Sequence, residues 1–454
     1  MTSIEMGRDA RVLGPESPGW DEARRAWNLA VDQQPEAIAA AESPADVAAA
    51  VHYARQHALR VAPQGTGHGA SALGSLAGTL LLKTDRMRGV RIDADARIAR
   101  IEAGTLWHEA LDASAPHGLT PLFGSARDVG AVGYLLGGGL SFLGRKLGLA
   151  AHSIVAAELV TADGTLLRAD ETENEDVLWA LRGGGGNFGV VTSLEVRLFP
   201  LSEVYAGILW FPFERASEVL HAWAELTRGG LPDDLTTVGR VLQLPPLPDI
   251  PEPLRGKSFA IVEAIHTGDP AEADALLAPL RALAPAMDTI GTISLPELSH
   301  MHMDPEHPVP GIGDGLALET LPDEAVDEFV HAVGPGSGSP LVSVEIRQLG
   351  GALARPRPEH AALAAAEGEY VLWAVGVAAT PELATASETR IGALRQALLP
   401  WTAPRIVPNF ADTSRPETSF WNSASLARLR VLKETLDPED VFRSNHPIGS
   451  EPRS

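Results

Sequence analysis

The sequence predicts an α+β protein of two domains. The chain has 454 residues, more than one hydrophobic core usually serves. Val190, Thr192, Leu194, Val196 and Leu198 alternate with Val191, Ser193, Glu195 and Arg197, the period of two that marks a β-strand. From about Leu201 to Ala403, strand-like runs alternate with Ala-rich helical runs; upstream, strands and helices interleave without a regular βαβ wind. The expected organisation is a tail over 1–26, a first domain over 27–202, a second over 203–405, and a segment over 406–454 that returns to the first.

Met1 to about Gly19 reads as a loose tail. Ser43-Pro44 opens a helix, with serine as N-cap and proline at the first helical position. Val47, Val51, Ala54 and Ala58 recur at the spacing of its buried stripe. Arg60–Pro63, Gly78–Thr84, Arg97–Glu102 and Val155–Thr161 read as strands, and Asp176–Leu181 as a helix. A helix from about Leu106 to His117 stops at Gly118, which can take the left-handed C-cap conformation. In the second domain, strands are expected at Gly207–Phe211, Ser258–His266, Leu341–Gln348 and Tyr370–Ala378. Helices are expected at Glu214–Thr227, Pro270–Leu283, Asp323–Ala332 and Pro381–Leu399, giving a sheet covered on one face. Ser425–Leu436 reads as a helix ended by Asp437-Pro438.

The formal charge is −23, from 36 basic and 59 acidic residues, which argues against nucleic-acid binding because no basic excess is present to displace counterions. With no cysteine, disulfides, thiol catalysis and thiolate metal sites are excluded. Residues 1–11 show no apolar run of the kind that makes a secretory signal, and no stretch approaches the ~18 apolar residues of a membrane span. A soluble cytoplasmic protein without membrane partners is the expectation.

Three glycine-rich loops carry the chemistry. The first is Pro63-Gln64-Gly65-Thr66-Gly67-His68-Gly69-Ala70, with an imidazole at its centre. The second runs from Gly130 through Gly133, Tyr134, Gly137 and Gly138 to Gly139. The third is Gly183–Gly189, leading into Val190 and Val191. Such loops let backbone N–H groups close on phosphate without Cβ obstruction. Three in one region fit one extended nucleotide cofactor. A dinucleotide fingerprint of the strand–turn–helix kind is not met, since Gly65–Ala70 lacks the third glycine. Neither a phosphate-loop lysine motif nor a serine nucleophile elbow is present.

In these loops the chain resembles the covalent flavoprotein oxidases of the vanillyl-alcohol oxidase type, and within them the berberine-bridge-enzyme-like oxidases. The resemblance runs from about Trp27 to Phe199 and from about Asn409 to Ile448. It implies the PCMH-type FAD-binding fold, with an antiparallel-sheet-plus-helices substrate domain roofing the flavin ring. It also implies that His68 is joined through a ring nitrogen to the 8α-methyl of FAD. Many members add a cysteine link at Gly-x-Cys-x-x-Val-Gly. This chain reads Gly124-Ser125-Ala126-Arg127-Asp128-Val129-Gly130, so a single link is implied, as in the 6-hydroxynicotine-oxidase-like members. The same resemblance places Ile154 at the cofactor, Val190-Val191 at its adenine end, and Asn445, in Val441–Ile448, against the flavin. It makes Val129, just before Gly130, the small residue that leaves O₂ access to the ring.

Glu345-Ile346-Arg347-Gln348 lies on an expected strand, where Glu345 and Arg347 share one face. If that face looks toward the flavin, Glu345 is a candidate base and Arg347 an anchor for an acidic or carbonyl substrate. If it looks outward, the two form a surface ion pair. No tyrosine follows Tyr370, which removes the family's C-terminal tyrosine base, and Phe420-Trp421 stand in that neighbourhood. His300-x-His302-x-Asp304, with His307, admits three readings: a surface loop, a substrate-pocket loop, or a metal site that the interrupting Met and Pro disfavour.

The reading as a whole is an FAD-dependent oxidoreductase. It would move hydride from an alcohol or amine C–H of a small organic substrate to the flavin and reoxidise with O₂. A flavin dehydrogenase using another acceptor, and a non-redox flavoprotein cyclase or binding protein, are the alternatives.

Overall fold

The computed structural model describes residues 5–6, 10–248 and 250–449, arranged around three sheets. The first sheet pairs Thr79–Lys83 in parallel with both Ala37–Ala40 and Arg60–Gln64. The helix Pro44–Gln56 makes the crossover between those outer strands. Ser43 caps it through the Asp46 N–H, and Val47, Ala50, Val51 and Ala54 are buried. Ala58 falls beyond the helix with φ of 55°, so the helical stripe ends one turn earlier than the periodicity indicates. The expected loose tail is also overturned in part: Ala10–Leu13 is a strand of this sheet, antiparallel to Ala37–Ala40.

The second sheet is antiparallel, with Val190–Arg197 between Ile98–Glu102 and Ile154–Val160. Seven of the eight residues of this central strand are not exposed, because the main core lies against one face and the helix Pro44–Gln56 against the other.

The third sheet has eight strands, including Glu203–Pro212, Ser258–His266, Leu235–Gln243, Leu341–Gln348, Tyr370–Val377 and Gly311–Leu318 in that order. Helices Ala216–Arg228, Pro270–Arg281, Asp323–Val333 and Pro381–Ala397 bury their apolar stripes on one face. Trp223 is fully buried there, on the order of 4–6 kcal/mol of apolar burial for a side chain of this size. It lies flat on Gly239, where a Cβ would sit 2.6 Å from the indole. Alternation along the strands then fixes the other face. Ala260, Val262, Val344 and Ile346 point to the helices. Glu263, Glu345, Arg347 and Arg240, at the intervening positions, point to the first domain.

The C-terminal segment packs against the first sheet. The Val61 carbonyl accepts from Arg443 N–H at 2.8 Å, and the Val61 N–H donates to the Val441 carbonyl at 2.7 Å. Lys433, buried on the helix Ser423–Leu436, donates to the Asn187 carbonyl at 3.1 Å and to Asp437 at 2.5 Å.

Candidate active site

The first glycine loop leaves the strand Arg60–Gln64 and ends at the short helix Ala70–Leu73. Gly67 has φ of +86°, and a Cβ there would lie 2.9 Å from the Ala26 methyl, so both conformation and space require glycine. Gln64 is buried and holds the loop base, accepting from Lys83 Nζ at 2.8 Å and donating to Gln33 at 3.1 Å. Burial pushes the Lys83 ammonium pKa down.

His68 stacks on Trp27, with ring centroids 3.9 Å apart. Its Nδ1 is 2.8 Å from the Thr66 hydroxyl, and its Nε2 is 3.5 Å from Asp128 Oδ1. That Nε2 and that Oδ1 are buried without a hydrogen-bond partner. The other oxygen of Asp128 accepts from Trp27 Nε1 at 2.6 Å. Burial acts to raise the Asp128 pKa, but His68 and Trp27 outweigh it and hold the carboxyl below its ordinary range. Asn445 Nδ2 donates to the Gly69 carbonyl at 2.6 Å, which brings the C-terminal signature onto this loop.

The segment Gly124–Gly130 lies beside it. Gly130 bridges to Leu106, and a Cβ on it would sit 3.6 Å from the Thr66 methyl. The Val129 carbonyl accepts from Trp107 N–H at 3.1 Å, and its half-buried side chain packs on the main core. Tyr134, on the helix Ala131–Leu136, is wedged between Gly124 and Gly139, where added Cβ atoms would come within 2.8 and 2.6 Å of its ring. Its hydroxyl is buried and unpartnered, and burial raises its pKa. Gly133 opens onto free space. Gly137 and Gly138 do not: added Cβ atoms would meet Asn409 at 2.8 Å and Leu363 at 2.6 Å. Asn409 accepts from Gly139 N–H at 2.7 Å and donates to the Tyr134 carbonyl at 3.1 Å. The run of three glycines is thus explained by close packing, against Asn409 at Gly137, Leu363 at Gly138, and Tyr134 and Ala150 at Gly139.

The third loop is held differently. Trp421 Nε1 donates to the Gly183 carbonyl at 3.0 Å, and Asn187 donates to the Gly184 and His446 carbonyls at 2.9 and 3.1 Å. Val190 and Val191 are buried in the ladder opposite Val160 and Leu159. The buried Ile154 gives its carbonyl to Arg182 at 2.9 and 2.6 Å. Burial lowers the Arg182 pKa to about 10.

On the sheet face toward these loops, Glu345 and Arg347 form a buried pair at 2.7 Å, so the outer-face reading falls. Three further charged groups join them, and none of the three was assigned this place from the sequence. His302 Nδ1 is 2.8 Å from Glu263, and its Nε2 is 2.9 Å from Glu345 Oε2, close but off the hydrogen-bond axis. Arg240 donates to Glu263 at 3.0 Å, to the His302 carbonyl at 2.8 Å and to Ser343 at 2.7 Å. Burial and Arg240 act to lower the His302 pKa, but Glu263 and Glu345 hold it up at about 9. Burial alone would raise Glu345, yet Arg347 and His302 keep it far below the usual carboxylate range.

The expected base role of Glu345 therefore fails on its surroundings. A carboxylate so strongly stabilised as the anion takes up a proton poorly near neutral pH. Arg347 fits the expected anchor role better. Its guanidinium lies 5.1 Å from the Phe142 ring and 5.3 Å from the Phe410 ring, and it reaches Ser125 Oγ at 3.4 Å. Ser125 in turn donates to Asp304 at 2.8 Å.

The His300–His307 segment divides. His302 is buried in this network, His300 pairs with Glu306 at 2.7 Å, and His307 is exposed. Among the described residues no group of three or more such side chains is arranged to hold a metal ion. Phe420 and Trp421 lie in the core against His446 and Gly183, and Phe410 of the same segment shares Arg347 with Phe142. The helix Leu295–Met301 sets His302, and the sequence did carry its signal: Ser294 and Glu297 make a capping box ahead of Leu295 and Leu298.

Comparison with known proteins bears on this arrangement. An FAD binding domain matches residues 35–170, and a berberine and berberine-like domain matches residues 408–449. (R)-6-hydroxynicotine oxidase of Paenarthrobacter nicotinovorans is 29% identical over 458 residues, covering 97% of this chain and 96% of that protein. Glucooligosaccharide oxidase of Sarocladium strictum is 38% identical over 199 residues, 43% of this chain and 40% of that one. The crystal structure of 6-hydroxy-D-nicotine oxidase from Arthrobacter nicotinovorans superposes with a TM-score of 0.83 at 24% identity, covering 99% of this chain and 100% of that one. The chain carries an FAD binding domain and a berberine-like domain and is an FAD-dependent oxidoreductase.

The residues in place suit FAD. Among the described residues, the backbone N–H groups of Thr66, Gly67 and Gly69 have no acceptor within the protein. Three free donors on a glycine loop are what a pyrophosphate needs. The same loop carries the unpartnered Nε2 of His68.

Proposed function

We propose that this flavoenzyme is an oxidase carrying its FAD covalently on His68. It removes hydride from an alcohol or amine C–H of a small organic substrate and passes the electrons to O₂, releasing H₂O₂. One observation carries the reading. The segment Gly124–Gly130 touches His68 through Asp128 and Arg347 through Ser125. The cofactor anchor and the Arg347 guanidinium, which reaches the first domain from this face, thus stand on either side of a single loop. Bound FAD supplies the hydride acceptor. The protein supplies the rest: free N–H donors for phosphate, a stacked imidazole for attachment, and a cation that binds a substrate oxygen. Glu345 keeps Arg347 charged and aimed, while His302 and Arg240 keep Glu345 and Glu263 from standing unpaired. Val129, with its small side chain before Gly130, suits O₂ access to the flavin. That relatives are named for a nicotine derivative and for oligosaccharides supports an amine or alcohol substrate.

The test is direct. Acid-precipitated protein should stay yellow, and intact mass should exceed the polypeptide by one FAD. A panel of amines, alcohols and oligosaccharides, read by peroxide release, should contain a substrate that also bleaches the flavin anaerobically. Bleaching without peroxide would replace the oxidase with a dehydrogenase. FAD freed by acid from the wild type would end the covalent reading.

A further inference from the structure

We infer that the chain has a second ligand site, a cleft at the outer edge of the third sheet, between the helix Pro381–Ala397 and the C-terminal segment. Its lining suits a small organic oxyanion, a carboxylate or phosphate ester carried on an apolar body. The inference goes beyond the oxidase reading above and does not depend on it.

Gly311–Leu318 is the last strand of that sheet, and the chain that follows the helix turns round it. Ala403 N–H donates to the Ala317 carbonyl at 2.9 Å. The cleft left there holds about 390 Å³, within the ~300–1,000 Å³ of small-molecule sites. One part of its wall is apolar, from Leu316, Leu399 and Ile406, and Leu399 is 56% exposed. The other part is cationic, from Arg395, Arg405 and Arg415. In a chain of formal charge −23, three guanidiniums in one cleft reverse the sign locally and favour an anion.

Their ion pairs do not use these arginines up. The buried Asp314 is shared by two of them, accepting from Arg395 at 2.5 Å and from Arg415 at 2.6 Å. Arg405 pairs with Glu367 through Nε at 2.5 Å. Three cations thus meet two carboxylates. A third carboxyl, Asp412, joins the cluster through its own N–H on Asp314 at 3.2 Å; burial and Asp314 push its pKa up to about 7, so below that it adds little negative charge. Among the described residues, both Nη atoms of Arg405, Nη2 of Arg395 and Nη1 of Arg415 meet no acceptor. A guanidinium offers such donors as a planar fork that matches carboxylate and phosphate oxygens. An oxyanion on these forks, with its apolar body on Leu399 and Ile406, satisfies both parts of the wall. The same segment carries Asn409 onto the second glycine loop and Phe410 beside Arg347. A ligand that ties Arg405 and Arg415 to the helix therefore bears on a wall of the candidate active site.

The experiment uses the full flavin-loaded chain at pH 6.5 and constant ionic strength, titrated by calorimetry with phenyl phosphate, benzoate and inorganic phosphate. The two aryl anions should bind. Inorganic phosphate should bind several-fold more weakly, because it leaves the apolar wall bare. Arg405→Gln should weaken phenyl phosphate roughly 10- to 100-fold, the worth of a hydrogen bond to a charged group. Glu367→Gln releases Arg405 and should tighten binding several-fold, so the site is still tested if Arg405→Gln does not fold. Arg347→Lys should leave this binding unchanged. Hydrogen exchange should slow over residues 402–415 when phenyl phosphate is present. Binding that is lost in Arg347→Lys and kept in Arg405→Gln would move the anion to the candidate active site and overturn the proposal. Inorganic phosphate binding as tightly as phenyl phosphate would mean an adventitious ion only, and would overturn it too, as would no binding at all. The flavin linkage is read separately by intact mass, so neither result touches it.

Discussion

Raising the pH toward 9 should loosen the second domain, because His302 is buried as a cation between two glutamates. Its pKa of about 9 stands against an ordinary 6.5, and the side chain is 4% exposed, so little solvent screening applies. A raised pKa contributes stability that is fully present below 6.5 and lost as pH climbs through the folded value. The difference corresponds to about 3 kcal/mol. A domain of about 200 residues shifts its Tm by about 2–4 °C per kcal/mol, so the wild type should lose roughly 10 °C between pH 6.5 and 9.5. Other groups also titrate there, so the comparison is with His302→Gln. That variant should start lower at pH 6.5, because Glu263 and Glu345 lose a shared cation, and its melting temperature should then change little over the window. Thermal unfolding at half-unit pH steps gives both slopes. Parallel slopes in the two proteins would show that His302 is not a buried cation and would remove it from the network.

Three further outcomes are expected. Gly67→Val places a β-branched residue at φ of +86° and 2.9 Å from the Ala26 methyl, and should yield largely folded protein without flavin; stoichiometric FAD in that variant would mean the loop is misassigned. Arg347→Lys keeps the charge but loses the planar fork, so kcat/KM for the identified substrate should fall about 10- to 100-fold; an unchanged value would exclude Arg347 as the anchor. Val129→Leu adds one methylene to a half-buried, packed position and should slow flavin reoxidation by O₂ in stopped flow while anaerobic reduction stays nearly constant. Equal oxygen rates would make Val129 a core contact only.

Much of the fold was legible where one face of an element is buried and its periodicity is clean. Ser258–His266 and Leu341–Gln348 occur with the bounds read from sequence, and Ser43-Pro44 caps its helix as read. Two of the strands that escaped carry glycines that serve an aromatic neighbour. Leu235–Gln243 carries Gly239 beneath Trp223, and Gly311–Leu318 carries Gly313, where a Cβ would lie 2.6 Å from the Trp373 ring. A strand broken by glycine loses its alternation in the sequence exactly where a distant indole needs the space, and that indole is not visible locally.

The candidate site divides along the same line. His68 announced itself because its glycines are local, and Glu345 with Arg347 because i and i+2 on a strand share a face. What the pair does was not local. Glu345 became a poor base only when His302 arrived from a separate helix to share it with Arg347, and His302 stays charged only because Glu263, on another strand, faces its other nitrogen. Any one of these residues alone in that interior would be driven neutral or outward, since an unpaired buried charge costs several kcal/mol. Their burial is therefore collective. Arg240, Glu263, His302, Glu345 and Arg347 enter the core together, with charges alternating along the chain of contacts from Arg240 to Arg347. The series begins and ends on a cation. Arg240 is spent on Ser343 and a backbone carbonyl, so the end that reaches across to the first domain is positive. A substrate that presents an anionic or carbonyl oxygen to that end completes the alternation. That is the physical reason to weight acidic and carbonyl-bearing amines and alcohols in the first substrate screen.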